Sequence, residues 1–271
     1  MEVMGTNIIK ANGINVSYSD NGEGTYPIIF IHGFPFNKSA WKPQIDMLKK
    51  TNRVITYDIR GFGDSETNNE NTSITLFAHD LLKFMDALEI KKAILCGLSM
   101  GGYILLEAVS LYPHRFKGLI LCDTQCIADT PEAKEKRLKT IKQIEKNGSE
   151  EFAKGFLESA FCKESYTSKK RLIEKLYKEI IALPPTIITN TLLALAQRTE
   201  KCTILKDIML PVLIICGKED KITPIDRSEF LFSNIEHSSL KIISDAGHLS
   251  NLEQPEEFNK CVNTFITAVL K

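Results

Sequence analysis

Three residues in this chain have the types and chain order needed to activate a hydroxyl nucleophile. Ser99 lies in Gly97-Leu98-Ser99-Met100-Gly101, between an apolar strand-like run and a helical pattern. This is the arrangement of a sharp strand-to-helix turn that lifts the serine Oγ above a sheet. Gly97 and Gly101 fit because a side chain at either place would collide with neighbouring backbone, and Gly102 lets the new helix lie close to the sheet. The start of that helix also offers free N–H groups and partial positive charge.

A hydroxyl needs a base. Of the five histidines, His248 follows the last strand-like run in Asp245-Ala246-Gly247-His248-Leu249, and His32 follows an earlier one in His32-Gly33-Phe34-Pro35. Both are expected at strand ends on the edge that carries Ser99, where sites of such sheets form. His248 is assigned as the base and His32 as a residue shaping the neighbouring loop. His79, His114 and His237 read as surface or core residues. The base needs an acid to hold its tautomer. Asp220, in Gly217-Lys218-Glu219-Asp220 just past another strand, gives the order Ser, Asp, His. Asp123, which ends the strand before a helical block, is the rival, and Glu219 is expected to point elsewhere. An oxyanion formed at Ser99 would be met by the backbone N–H groups of Met100 and Phe34. The expected substrate-pocket residues are His32, Phe36, Trp41 and Leu249. The loop Asp58-Ile59-Arg60-Gly61-Phe62-Gly63-Asp64-Ser65 reads as a tight loop near the site, either shaping the pocket wall or, the preferred reading, a structural turn braced by an Asp58–Arg60 ion pair.

The elements that must position these residues alternate. Asn7 to Asp20 reads as a hairpin turning at Asn12-Gly13. Pro27–His32, Arg53–Asp58, Ala93–Cys96, Lys117–Cys122, Val212–Cys216 and Leu240–Ile243 read as strands. Between them run a helix capped by Ser39 to about Lys50, an amphipathic helix over Leu76–Leu88, and helices over Met100–Tyr112, Ile225–Phe232 and Pro255–Leu270. Strand and helix alternation of this kind predicts a mainly parallel sheet covered on both faces. It breaks between Thr124 and Thr203, where only helices are read: Pro131–Lys146, Glu150–Phe161, Ser168–Ile181 and Pro185–Arg198. Pro131 and Pro185 fit the first helical turn, where a missing N–H costs nothing. The expected organisation is therefore a core of residues 1–123 and 204–271, interrupted by a helical cap of residues 124–203.

Composition narrows the partners. Lys plus Arg and Asp plus Glu are 34 each, so the formal net charge is zero and nothing recruits nucleic acid. No apolar run reaches the roughly 18 residues of a membrane span, and Met1–Lys10 lacks the pattern of a signal peptide, so a cytoplasmic protein with no membrane partner is expected. The seven cysteines include no Cys-x-x-Cys pair and read as free thiols of a reducing compartment. No metal or organic cofactor is expected.

The segments His32-Gly-Phe-Pro35, Asp58-Ile-Arg-Gly-Phe-Gly-Asp-Ser65, Gly97-Leu-Ser-Met-Gly-Gly102 and Gly247-His248 with Asn251-Leu-Glu-Gln-Pro255 together resemble the α/β-hydrolase superfamily over nearly the whole chain. That resemblance implies an α/β fold with an eight-stranded, mostly parallel sheet flanked by helices. It also implies a helical cap inserted after the sixth strand, over Ser99. The single-residue Phe34 loop looks like the type that handles ordinary esters. Cys122-Asp-Thr124 through Asp129-Thr-Pro-Glu132 looks like bacterial carboxylesterases near 3-oxoadipate enol-lactonases. The activity implied is hydrolysis of a small ester or lactone through an acyl-enzyme. The same triad also serves carbon–carbon bond hydrolases and cofactor-free haloperoxidases or perhydrolases, and a slow-turnover ligand receptor could retain it. A serine at position 99 argues against the branches that place an aspartate there.

Overall fold

The structure, a computed structural model, describes residues 6–68 and 71–271. The first half of the Met1–Lys10 segment lies outside the described residues. The chain opens with the hairpin β1 (Asn7–Ala11) and β2 (Ile14–Asn21), whose turn residues Asn12 and Gly13 both have positive φ, as a tight two-residue turn requires. Then follow β3 (Ile28–Ile31), α1 (Lys42–Leu48), β4 (Val54–Tyr57), α2 (Ile74–Ala87), β5 (Ala93–Leu98), α3 (Met100–Leu111) and β6 (Phe116–Cys122). Five helices come next: α4 (Pro131–Asn147), α5 (Glu150–Ala160), α6 (Ser165–Ser168), α7 (Lys170–Ala182) and α8 (Pro185–Gln197). The chain closes with β7 (Val212–Gly217), α9 (Ile225–Asn234), β8 (Ser238–Ile243), α10 (Ser250–Glu253) and α11 (Pro255–Val269).

The eight strands form one sheet in the order β1-β2-β4-β3-β5-β6-β7-β8. The hairpin strands pair antiparallel and every pairing from β4 to β8 is parallel. Every residue of β3, β4, β5 and β7 is buried, as expected of parallel strands covered on both faces. The chain crosses from one side of β3 to the other between β4 and β5. The loops after β3 and β5 therefore leave the same edge of the sheet at its centre, where an open α/β sheet offers a crevice.

Three local expectations are corrected. Asn37, not Ser39, caps the first helical segment: its side chain accepts from Ser39 N–H at 2.8 Å, opening a short 3₁₀ turn over Lys38–Trp41 before α1 begins. The helix expected from Ser168 starts two residues later, as α7, and an unexpected short helix, α6, ends at Ser168 before it. The cysteines are not all free: Cys126 and Cys202 form a disulfide across 76 residues, joining the segments that enter and leave the helical block. Neither apolar context nor local spacing marks this pair. With it, cysteine usage no longer points to a reducing compartment. Among the described residues no single helix is long and apolar enough to cross a membrane.

Candidate active site

Ser99 sits between the last residue of β5 and the first of α3, at φ 52° and ψ −111°. A non-glycine residue pays strain in this region, and the packing around it must hold it there. A Cβ on Gly97 would lie 2.5 Å from the Gly101 carbonyl, and one on Gly101 would lie 2.4 Å from the Ile31 carbonyl oxygen. Both glycines are therefore required by close approach. Thr124 adds a contact that sequence reading missed: its Oγ donates to the Ser99 carbonyl at 2.8 Å, anchoring the turn from the next strand.

Ser99 Oγ lies 2.8 Å from His248 Nε2, and His248 Nδ1 lies 2.8 Å from Asp220 Oδ2. The three residues come from the ends of β5, β7 and β8, and Ser99 and His248 are 149 positions apart in the chain. Asp220 is held by four donors. Its Oδ1 accepts from the Ile222 and Thr223 N–H groups at 2.8 and 2.9 Å, and its Oδ2 accepts from Thr223 Oγ at 2.7 Å as well as facing the imidazole. Thr223, three residues after the acid, was not singled out from sequence. The Asp-x-x-Thr spacing of an Asx-type turn is the signal that marks it.

The electrostatics follow from this geometry. Burial disfavours the charged form of His248, but the Asp220 carboxylate, with Asp123 and Glu253 behind it, more than offsets this and leaves the imidazole above its ordinary pKa. Burial also works against the charge on Asp220, yet His248 and the Thr223 donors hold that carboxyl below the usual carboxylate range. Asp123, the rival acid, makes no hydrogen bond to the histidine. Its Oδ1 accepts from Gly217 N–H at 2.8 Å and its Oδ2 from Ser250 Oγ at 2.5 Å, bracing β6 against β7 and α10. Burial, with the Asp220 charge nearby, pushes its pKa well up.

Met100 opens α3, so its N–H has no carbonyl one turn back. Gly33 packs on the serine turn: a Cβ there would lie 3.2 Å from Leu98 O and 3.3 Å from Ser99 Cβ. The loop carrying Phe34 thus lies directly against the nucleophile. The Phe34 ring approaches Phe62 at 6.2 Å and, from α5, Phe152 and Phe156 at 5.8 and 6.3 Å between ring centroids. Phe36 meets Phe156 at 5.8 Å. Sequence reading missed both α5 phenylalanines, because nothing local shows which face of that helix turns inward.

The other expected pocket residues divide. Leu249 is fully buried beside His248. Trp41 is fully buried too, but its ring packs against Phe30 of β3 and Phe258 of α11, so it belongs to the core. His32 is likewise interior. Its Nε2 accepts from Ile59 N–H at 3.0 Å and its Nδ1 lies 3.0 Å from Gly33 O, so the neutral Nδ1–H tautomer satisfies both. Burial pushes its pKa down to about 4. The expected Asp58–Arg60 pair is also absent. Asp58 instead takes Lys38 Nζ at 2.6 Å and Lys38 N–H at 2.7 Å, while Arg60 pairs with Asp80 of α2 at 2.6 Å. Each charge found a partner across the fold that gives it a better enclosed bond. His79 is partly buried near Tyr112, and His114 and His237 are exposed.

Residues 26–255 match the family model for the alpha/beta hydrolase fold. The chain is 30% identical to 3-oxoadipate enol-lactonase 1 of Acinetobacter baylyi over 99% of both chains. Among solved structures it is similar to a thermophilic esterase from Thermogutta terrifontis, with a TM-score of 0.92 and 31% identity over 98% of this chain and 99% of that one. It is also similar to the enol-lactonase from Burkholderia xenovorans LB400, with a TM-score of 0.90 and 25% identity over 96% of this chain and 100% of that one.

Proposed function

The chain belongs to the α/β-hydrolase family, and from that premise we propose that it hydrolyses carboxylic ester or lactone bonds of small substrates through an acyl-enzyme on Ser99. The observation that carries this reading is the unbroken line from Ser99 Oγ through both nitrogens of His248 to Asp220, each link 2.8 Å. In this reading His248 takes the Ser99 proton as Oγ attacks the carbonyl carbon, and Asp220 stabilises the imidazolium. The N–H groups of Phe34 and Met100 donate to the developing oxyanion; one such donor is typically worth roughly 3–4 kcal/mol in the transition state. His248 then gives its proton to the leaving alkoxide. A water attacks the acyl-enzyme with His248 again as base, which releases the acid and restores the serine.

Residues 124–203 act as a cap in this reading, with Phe152 and Phe156 of α5 roofing the acyl site. Two observations support a neutral, apolar acyl group over one bearing a second carboxylate. The rings of Phe34, Phe36, Phe152 and Phe156 meet at the junction of the oxyanion loop and α5. The buried cations Lys38, Arg60 and Arg198 each face a carboxylate, on Asp58, Asp80 and Asp129. The names of the relatives support both esters and lactones as substrates.

The test is hydrolysis of p-nitrophenyl esters from acetate to octanoate by the wild type and Ser99→Ala. Turnover that vanishes in the variant, with an optimum above acetate, is expected. Absence of turnover by folded wild type on esters and simple lactones alike refutes the reading.

A further inference from the structure

Glu253 lies five residues after His248, in the Asn251–Pro255 segment that the triad does not use. It is 1% exposed, and no Lys or Arg pairs with its carboxyl group among the described residues. Three donors converge on it instead. Its Oε1 accepts from Gly247 N–H at 2.7 Å; its Oε2 accepts from Cys162 N–H at 2.9 Å and Ser165 Oγ at 2.6 Å. Gly247 is the residue before the histidine, whereas Cys162 and Ser165 belong to the segment between α5 and α6. One side chain therefore joins the histidine loop to the helical block.

The same two segments touch directly. His248 N–H donates to the carbonyl of Ala160, the last residue of α5, at 2.7 Å. Gly247 presses so closely on α5 that a Cβ there would lie 2.7 Å from Ala160 O and 2.8 Å from Cys162 N. The seam is backbone against backbone, stapled by the Glu253 carboxyl group on the Gly247 side and by the Cys162 thiol, which donates to the Asp245 carbonyl at 3.4 Å. α5 also carries Phe152 and Phe156, which meet the ring of Phe34 on the oxyanion loop.

We propose that Glu253 is a positioning residue that holds the His248 loop and the end of α5 in one register, so that the base is aligned when the aromatic helix is seated on the oxyanion loop. This rests on the triad reading above. Glu253 touches neither Ser99 nor a substrate and acts through the backbone on either side of the histidine. Its charge also faces the imidazole, together with Asp220 from the loop after β7 and Asp123 from the end of β6; the neutral Thr223 and Ser99 hydroxyls complete that shell. On its other side Glu253 faces Cys162, Ser165 and the Tyr166 phenol.

Glu253→Gln tests this with little change of shape. Whichever way the amide lies, its NH₂ meets an N–H donor, of Gly247 or of Cys162, so one side of the seam is released. Misplacement of a base by about 1 Å costs on the order of 100-fold. The expected result is therefore a 10- to 100-fold fall in kcat on p-nitrophenyl acetate, with KM within about threefold. The acid limb of the rate profile moves to lower pH, because a negative neighbour of His248 is gone. Folded Glu253→Gln with wild-type kcat, or with its whole loss in KM, or with the limb unmoved, overturns the proposal. If Glu253→Gln is not recovered folded, Ser165→Ala decides. It removes one of the two donors on Oε2, and a fall in kcat at constant KM is expected; wild-type kcat overturns the proposal. If the wild type cleaves no ester, the proposed function fails by itself. The ring titration of His248, followed by NMR in wild type and Glu253→Gln, then still decides: a lower pKa in the variant supports the positioning role, and an equal one overturns it.

Discussion

Replacing Asp220 with asparagine should disable the protein without unfolding it, and the hydrogen bonds around the residue say why. Asp220 Oδ1 accepts from two backbone N–H groups, of Ile222 and Thr223, whereas Oδ2 accepts from the Thr223 hydroxyl and faces His248 Nδ1. An asparagine keeps the two backbone bonds only if its oxygen stays at the Oδ1 position. Its NH₂ then points at His248 Nδ1 and donates to it. The imidazole must present a lone pair there and carry its proton on Nε2, the nitrogen 2.8 Å from Ser99 Oγ. A protonated Nε2 cannot accept the serine proton. The Thr223 hydroxyl can rotate to accept from the new NH₂, and the two backbone bonds to the side-chain oxygen hold the loop. Wrong-tautomer substitutions of this type lower kcat about 10⁴-fold, which at 1.36 kcal/mol per decade is about 5 kcal/mol of transition-state stabilisation. Asp123→Asn is the internal comparison: Asp123 bonds Gly217 and Ser250, not the imidazole, and its loss should cost far less in kcat than the loss of Asp220. The assay is steady-state hydrolysis of the best p-nitrophenyl ester, with circular dichroism and thermal melting to show that each variant is folded. A folded Asp220→Asn that keeps more than a tenth of wild-type kcat refutes the assignment, and a larger loss in Asp123→Asn would transfer the acid's role to that residue.

Two further predictions concern stability. His32 is neutral in the folded protein down to about pH 4, whereas the unfolded chain takes up that proton near 6.5. The unfolded state thus binds more protons between these values, and this residue's contribution to stability falls as pH drops through that window, by about 3 kcal/mol in all. His32→Gln, which can still accept from Ile59 N–H but does not titrate, should lose correspondingly less stability between pH 7 and pH 4 in urea melts; parallel losses would show that His32 is not the group responsible. The Cys126–Cys202 bond closes a loop with a sequence separation of 76. In the chain-entropy view a closure of that length stabilises by about 4 kcal/mol, so reduction, or the Cys126→Ser, Cys202→Ser double variant, should lower the unfolding free energy by about 2–4 kcal/mol. An unchanged urea midpoint would contradict this.

Much of the fold and the candidate site could be read along the chain because the rules involved are local. A hairpin turning at Asn12-Gly13 needs only residues that tolerate positive φ. The serine turn needs small residues on both sides of Ser99, and the sheet's buried strands announce themselves as apolar runs of the right length. Helix starts at Pro131 and Pro185 follow from a missing N–H at a place where none is needed. Chain order then suggested that Ser99, Asp220 and His248 would meet, because residues following parallel strands emerge at one sheet edge.

What the tertiary structure decided was the choice of partner among chemically equal candidates. Lys38 and Arg60 could each have paired with Asp58. The fold set Lys38 over Asp58 and turned Arg60 towards Asp80. Seven cysteines offered many pairings, and only the meeting of the two ends of the helical block brought Cys126 to Cys202, with Cα atoms 5.0 Å apart. Trp41 could have faced a pocket or the core, and the packing of α11 on the sheet buried it against Phe258. Glu253 reads in sequence as one more acidic residue near a helix start; only the seating of α5 on the histidine loop surrounds it with three donors. Local backbone rules depend on a few adjacent residues and their sterics, so they can be read from the chain. Side-chain partnership depends on which surfaces meet across dozens of residues, and that is set by the packing of the whole domain.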